Sequence, residues 1–254
     1  MLSLILAASL GVAKPNTQAI IQQSWNQTLV VGHRGAAAYK PENTLESFEE
    51  AIKSGAVATE CDIFTDKDGG VVVIHDSTLD RTTSLKGKVA ETSTAAIKAA
   101  GIPMLEDYLK VTKDRIVSVI EIKAGVDVEA KTIAALKKEE MLDQAIIFSF
   151  NSAIVAKIKE LEPKLFAVWL VASPGTAAEH EEKVFSKFRE IKADAIGVQF
   201  LNAQAPLVES AHSKRIPVFV WTVPPGPQVD RLKALKVNFI ITDHPRDVKA
   251  QLAG

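Results

Sequence analysis

Four short stretches carry side chains suited to acid–base and phosphate chemistry. They are Gly32-His33-Arg34-Gly35, Glu60-Cys61-Asp62, His75-Asp76 and Glu121-Ile122-Lys123. Histidine titrates near neutrality and serves as general acid or general base. The planar fork of arginine matches phosphate oxygens, and lysine supplies a point charge. Residues two apart on a strand share a face. Glu60 and Asp62 therefore point one way and Cys61 the other, while Glu121 and Lys123 share a face opposite Ile120 and Ile122. Three carboxylates brought together would repel one another and raise each other's pKa. A divalent cation relieves that repulsion, and an all-oxygen ligand set suits Mg²⁺ or Ca²⁺ better than zinc.

These stretches sit at the ends of short β-branched runs: Leu29–Val31, Ala58–Phe64, Val71–Ile74, Ile116–Ile122, Ala145–Phe150, Leu165–Val171, Ala195–Phe200, Pro217–Val223 and Phe239–Thr242. Helix-length segments separate most of them, among them Asn43–Gly55, Val126–Met141, Asn151–Pro163 and Gly226–Lys236. Asn43 or Thr44 can cap the first of these helices, and Gly55 can end it. Such alternation predicts parallel βαβ units. One connection differs. Phe64 and Val71 are joined only by Thr65–Gly70, whereas a parallel crossover needs about a dozen residues or more. Val71–Ile74 must fold back as a hairpin, and eight strands remain. The prediction is an α/β fold, a (β/α)8 TIM barrel spanning residues 28–254, with a small insertion over Ser77–Arg115 after that hairpin. Barrels of this type keep their sites at the C-terminal strand ends, where all four stretches fall.

The chain has 254 residues, 47 % apolar and 24 % charged, enough to bury a large core. A net charge of −1 gives no electrostatic case for nucleic acid or an anionic membrane. The single cysteine, Cys61, excludes an internal disulfide framework. Leu2–Leu10 is predominantly apolar and runs into Gly11-Val12-Ala13, so residues 1–13 read as a candidate signal peptide, although no Lys or Arg precedes the run. Export to a periplasm or the exterior is expected rather than cytoplasmic residence. The run is too short to span a bilayer, and no cysteine follows it to carry a lipid anchor. His180, His212 and His244 read as structural, with His244 near a strand end.

In order along the chain stand GHRG, PENT, ECDIFTDKDG, VVVIHDSTLDRTT, GIPMLEDYL, VIEIK, FSF, VWTV and IITDHP. This set resembles the glycerophosphodiester phosphodiesterases, a (β/α)8-barrel family related to the phosphatidylinositol-specific phospholipases C. The match runs from about Val30 to Asp247. The resemblance implies hydrolysis of a small-molecule glycerophosphodiester to glycerol 3-phosphate and an alcohol. It gives His33 and His75 the acid and base roles, in an order the sequence leaves open. It places one divalent cation, Mg²⁺ or Ca²⁺, on Glu60, Asp62 and Glu121, and sets Arg34 and Lys123 against the phosphate. Glu42 of PENT falls near the metal, either binding it or orienting a neighbour. Family members commonly carry Asn after the Trp-Thr-Val of the seventh strand. Here Pro224-Pro225-Gly226-Pro227 follows Val223, which stiffens the loop and bears on head-group preference. Trp221 is expected to line the mouth.

Two other readings are open. A lysophospholipase D or sphingomyelinase-D-like enzyme would need an apolar groove at the mouth. A non-catalytic phosphodiester-binding barrel would be expected to lack a histidine or a metal carboxylate, and all five are present.

Overall fold

A computed structural model describes residues 14–172 and 178–254. The candidate signal peptide, 1–13, lies outside the described residues, as does the side chain of His180. The strands are β1 (Leu29–Gly32), β2 (Ala58–Thr65), β3 (Val71–Val73), β4 (Val117–Ala124), β5 (Ala145–Ser149), β6 (Phe166–Val171), β7 (Ala195–Gln199), β8 (Val218–Trp221) and β9 (Phe239–Thr242). Eight are parallel and close a barrel in the order β1-β9-β8-β7-β6-β5-β4-β2, with β2 returning to β1. That closing seam is short: Val31 faces Ala58 and Gly32 faces Thr59. The odd strand is β3, antiparallel to β2 through Ile63↔Val73, Phe64↔Val72 and Thr65↔Val71. The six-residue connection forced that hairpin.

Strand alternation sorts the core into two layers. Val31, Ala58, Val119, Phe148, Leu170, Phe219 and Phe239 fill the barrel interior. Cys61, Ile63, Ile120 and Ile122 face outward into the layer beneath the helices. Helix α1 (Thr17–Ser24) closes the strand-start end, setting Ile20 and Ile21 into the interior cluster. Helix α2 (Leu45–Lys53) is capped by Thr44, whose side chain accepts from the Ser47 amide at 3.2 Å, and it ends at Gly55 in the left-handed region. Asn43 has other work, described below.

The segment 77–115 divides into two parts. Its first part, with helix α3 (Thr94–Ala99), shares a small core of Val72, Ile74, Leu79, Val89, Ile97, Ile102 and Met104. Its last part, helix α4 (Leu105–Thr112), belongs instead to the ring of helices between β2 and β4. The reason is Tyr108. It is fully buried, meets Phe48 edge-on, and donates its hydroxyl to the Thr59 carbonyl at 2.6 Å. Tyr108→Phe removes that bond at constant shape and is expected to cost about 1 kcal/mol of stability, read from urea unfolding midpoints.

Candidate active site

The turn after β1 is built by its glycines. A Cβ on Gly32 would collide with the Gly35 carbonyl, and one on Gly35 (φ +89°) with Ser47 at the start of α2. Arg34 between them is held at φ +49°, an uncommon conformation for a non-glycine residue. In it the Arg34 amide donates to Glu60 Oε2 at 2.8 Å. The Gly35 amide donates to the Glu60 carbonyl at 3.1 Å. On the far side of β2, the Ile74 amide donates to the Asp62 carbonyl at 3.0 Å, which brings His75 to the same mouth.

Glu60 and Asp62 on β2 and Glu121 on β4 are all buried and bring one oxygen each within 4.8 Å of the others. Asp62 and Glu121 are register neighbours. Among the described residues Glu60 Oε1 has no hydrogen-bond donor, and one cation, Lys123, serves both Asp62 Oδ1 and Glu121 Oε1. The Lys123 ammonium pairs with these two, 2.9 Å from Asp62 Oδ1 and 2.5 Å from Glu121 Oε1. Burial and the Asp62 charge push the Glu60 carboxyl up to about 8, against the pull of His33. Burial raises Glu121 too, with Lys123 opposing. Burial acts on Asp62 as well, but Lys123, Arg34 and His75 outweigh it and hold Asp62 below the usual carboxylate range. Three converging buried carboxylates offset by a single ammonium are what a divalent cation satisfies, so the residues present fit one.

Each histidine is braced by a carboxylate. His33 Nδ1 lies 2.7 Å from Asp243 Oδ1, and His75 Nδ1 lies 2.7 Å from Asp76 Oδ1. An Nδ1–H donating to each leaves Nε2 as the nitrogen available to substrate. Burial disfavours the charged form of His33, but the Asp243 bond and the Glu60 charge overcome it and the pKa rises. Burial lowers His75, and Lys123 and Arg34 add to the lowering against Asp62 and Asp76.

His33, Arg34, Glu60, His75, Glu121, Lys123 and Trp221 line one cavity of about 150 Å³ at the C-terminal strand ends. Asp62 lies beneath it, fully buried. Phe148, Phe150 and Leu170 form an apolar wall with Trp221, whose ring meets Phe150 edge-on at 5.3 Å. A larger cavity of about 650 Å³ opens at the opposite end, around Trp25, Lys233 and Lys236. It includes none of the acidic trio or the paired histidines, so chemistry rather than size marks the site. The Pro224-Pro225 loop is exposed, and Gln251 pins it by bonds of 2.9 Å to both the amide and the carbonyl of Gly226.

Glu42 stands apart from the acidic trio. Its oxygens accept from Arg34 Nη1 at 2.9 Å and from Arg81 at 2.8 and 2.7 Å, so it orients Arg34. His212 binds Asn238 and His244 packs on Tyr39. Sequence reasoning gave no site role to Asp243, Asp76, Asn43 or Arg81. Asn43 donates to Asp62 Oδ2 at 2.8 Å and sits at φ +57° to do so. Adjacency to His75 was a signal for Asp76; nothing local pointed to the others.

The model of the glycerophosphoryl diester phosphodiesterase family matches residues 33–247. A glycerophosphodiester phosphodiesterase of Caldanaerobacter subterraneus subsp. tengcongensis is 32 % identical over 237 residues, 86 % of this chain and 95 % of that protein. One from Bacillus subtilis is 30 % identical over 254 residues, 87 % and 85 % of the two chains. The solved structure of an Oleispira antarctica phosphodiesterase in complex with the product sn-glycerol-3-phosphate superposes with a TM-score of 0.79 over 91 % of this chain and 99 % of that one. At 21 % identity that likeness speaks to the fold.

Proposed function

Since the chain belongs to the glycerophosphoryl diester phosphodiesterase family of hydrolases, we propose that it cleaves glycerophosphodiesters to glycerol 3-phosphate and an alcohol by paired-histidine catalysis beside one divalent cation. The observation that carries this reading is the trio of converging buried carboxylates next to two carboxylate-braced histidines at one cavity. Glu60, Asp62 and Glu121 would hold the cation, which when bound supplies Lewis acidity and neutralises charge developing on the phosphoryl group.

The chain's own groups do the rest. Arg34 offers the phosphate two N–H donors from one plane, with Glu42 keeping that plane in place. Lys123 adds a positive charge on the same side of the cavity. His75, lowered in pKa, is available as the neutral base that takes a proton at Nε2 from the nucleophile, water or the glycerol 2-hydroxyl. His33, raised in pKa, carries the proton that its Nε2 gives to the departing alkoxide. Asp243 stabilises the charged ring of His33. Asp76 does so less well for His75, because Arg81 competes for it. The apolar wall of Phe148, Phe150, Leu170 and Trp221 suits the carbon face of glycerol.

The purified protein is expected to release glycerol 3-phosphate from glycerophosphocholine or glycerophosphoethanolamine, to stop in EDTA, and to recover with Mg²⁺ or Ca²⁺. Activity undiminished by EDTA would remove the cation from the reading. No release with any divalent metal would overturn the substrate class.

A further inference from the structure

Arg81 lies in Leu79-Asp80-Arg81-Thr82-Thr83, a stretch of the insertion to which the reaction above assigns no step. Its guanidinium makes three bonds to two carboxylates. Nη1 and Nη2 grip Glu42 at 2.8 and 2.7 Å, and Nε donates to Asp76 Oδ2 at 2.6 Å. Each carboxylate has a second partner in the active site. Glu42 Oε1 accepts from Arg34 at 2.9 Å, and Asp76 Oδ1 holds His75 at 2.7 Å. The result is a chain of alternating charge, Arg34–Glu42–Arg81–Asp76–His75, that joins the phosphate-binding cation to the base. Arg81 is its midpoint.

The support beneath Arg81 is firm. Leu79 is fully buried in the insertion's core, its amide bonds the Gly87 carbonyl at 2.9 Å, and Thr83 Oγ1 donates to the Leu79 carbonyl at 2.7 Å. The Arg81 side chain itself is 48 % exposed, so solvent screens its charge and the pairs add little stability. What they supply is direction. A lysine cannot make three bonds in one plane.

We propose that Arg81 is a positioning residue through which the insertion sets the orientation of both Arg34 and His75. This rests on the phosphodiesterase reading above. Asp76 uses one oxygen for His75 and the other for Arg81, so it orients the imidazole while the guanidinium tempers its attraction for a proton. The other groups facing His75 are Asp62 on β2, Arg34 after β1 and Lys123 on β4. Of these only Arg34 is tied to Arg81, through Glu42.

The test uses the full chain with its activating metal. Arg81→Gln is expected to lower kcat by about ten- to a hundredfold, as loss of an orienting partner does elsewhere. The acidic limb of the kcat/KM profile should move to higher pH, because Asp76 freed of its guanidinium favours the imidazolium. Arg81→Lys should fall between wild type and Arg81→Gln, with an unfolding midpoint close to wild type. In an Asp76→Asn background, Arg81→Gln should move the limb no further. An unchanged kcat and limb, or an equal limb shift in the Asp76→Asn background, overturns the proposal. If Arg81→Gln does not fold, the NMR titration of His75 in Arg81→Lys decides: a raised pKa supports the proposal and an unchanged one overturns it. That titration needs no turnover. A wild type that releases no glycerol 3-phosphate therefore refutes the phosphodiesterase reading separately.

Discussion

His75→Ala is expected to lower kcat on glycerophosphocholine by about 10²- to 10⁴-fold, the usual contribution of a positioned proton-transfer group. His33→Ala should cost a comparable factor on that substrate, because choline and ethanolamine leave as basic alkoxides that need a proton. The two variants part company on a glycerophosphodiester with a p-nitrophenolate leaving group. That group departs without protonation, so His33→Ala should recover most of its activity while His75→Ala remains impaired. The contrast follows from burial and from the charges around each ring. Asp243 braces His33 and leaves it inclined to hold its proton, whereas Asp76 is shared with Arg81. Neither histidine is fully buried, and both variants should unfold near the wild-type midpoint. The reverse pattern would exchange the two roles. Full activity in both variants would remove histidine catalysis from the reaction.

Glu60→Gln carries the second large effect, and its sign on stability is opposite to its sign on activity. Turnover should fall by orders of magnitude, since the carboxylate trio loses a member. The metal-free protein, however, should become more stable at pH 8. The Glu60 carboxyl is raised from 4.5 to about 8. A group raised in this way contributes its stability in full below its unfolded pKa and loses it as pH climbs through the folded value. Metal-free wild type should therefore lose melting temperature between about pH 5 and pH 8 from this group. Glu60→Gln, neutral throughout, should not. A bound cation reverses the penalty in wild type, adding about 2.7 kcal/mol at a concentration of 100 Kd. Glu60→Gln should show a much smaller gain. Scanning calorimetry at the two pH values, with EDTA and with Mg²⁺ or Ca²⁺, reads all four quantities. A metal-free wild type that loses no more stability than Glu60→Gln between them would show that Glu60 ionises there without cost.

The barrel and the first rank of the site were legible because their signals are local. The nine strand runs were readable from β-branched composition, and the hairpin from the shortness of Thr65–Gly70. The inward set Glu60, Asp62, Glu121 and Lys123 followed from the two-residue repeat of a strand. The bracing groups have no such signal. Asp243 reaches His33 across 210 positions, and only closure of the barrel between β9 and β1 brings them together. Arg81 reaches Glu42 across 39 positions through an insertion with no strand to set its register. Asn43 and Thr44 were equal candidates for the cap of α2. Thr44 took it, because Asn43 is turned into the left-handed region toward Asp62. The division of 77–115 was hidden for a related reason. Tyr108 reads as an ordinary helix residue until the carbonyl it donates to is known.

The seam between β1 and β2 has only two facing pairs, and above them the ring is fastened by Glu60 itself, through the amides of Arg34 and Gly35. The clasp of the cylinder and the floor of the reaction are thus one piece. Substitutions at 32, 34, 35 and 60 must satisfy two demands at once, a closed hoop and a charged pocket, and few side chains meet both. At 60 only the Arg34 amide bond depends on the side chain, since the Gly35 amide binds the backbone carbonyl. Adaptation to new head groups has freer ground on the opposite wall, at the Phe150 side chain and the exposed Pro224-Pro225 loop, which carry none of the acidic trio.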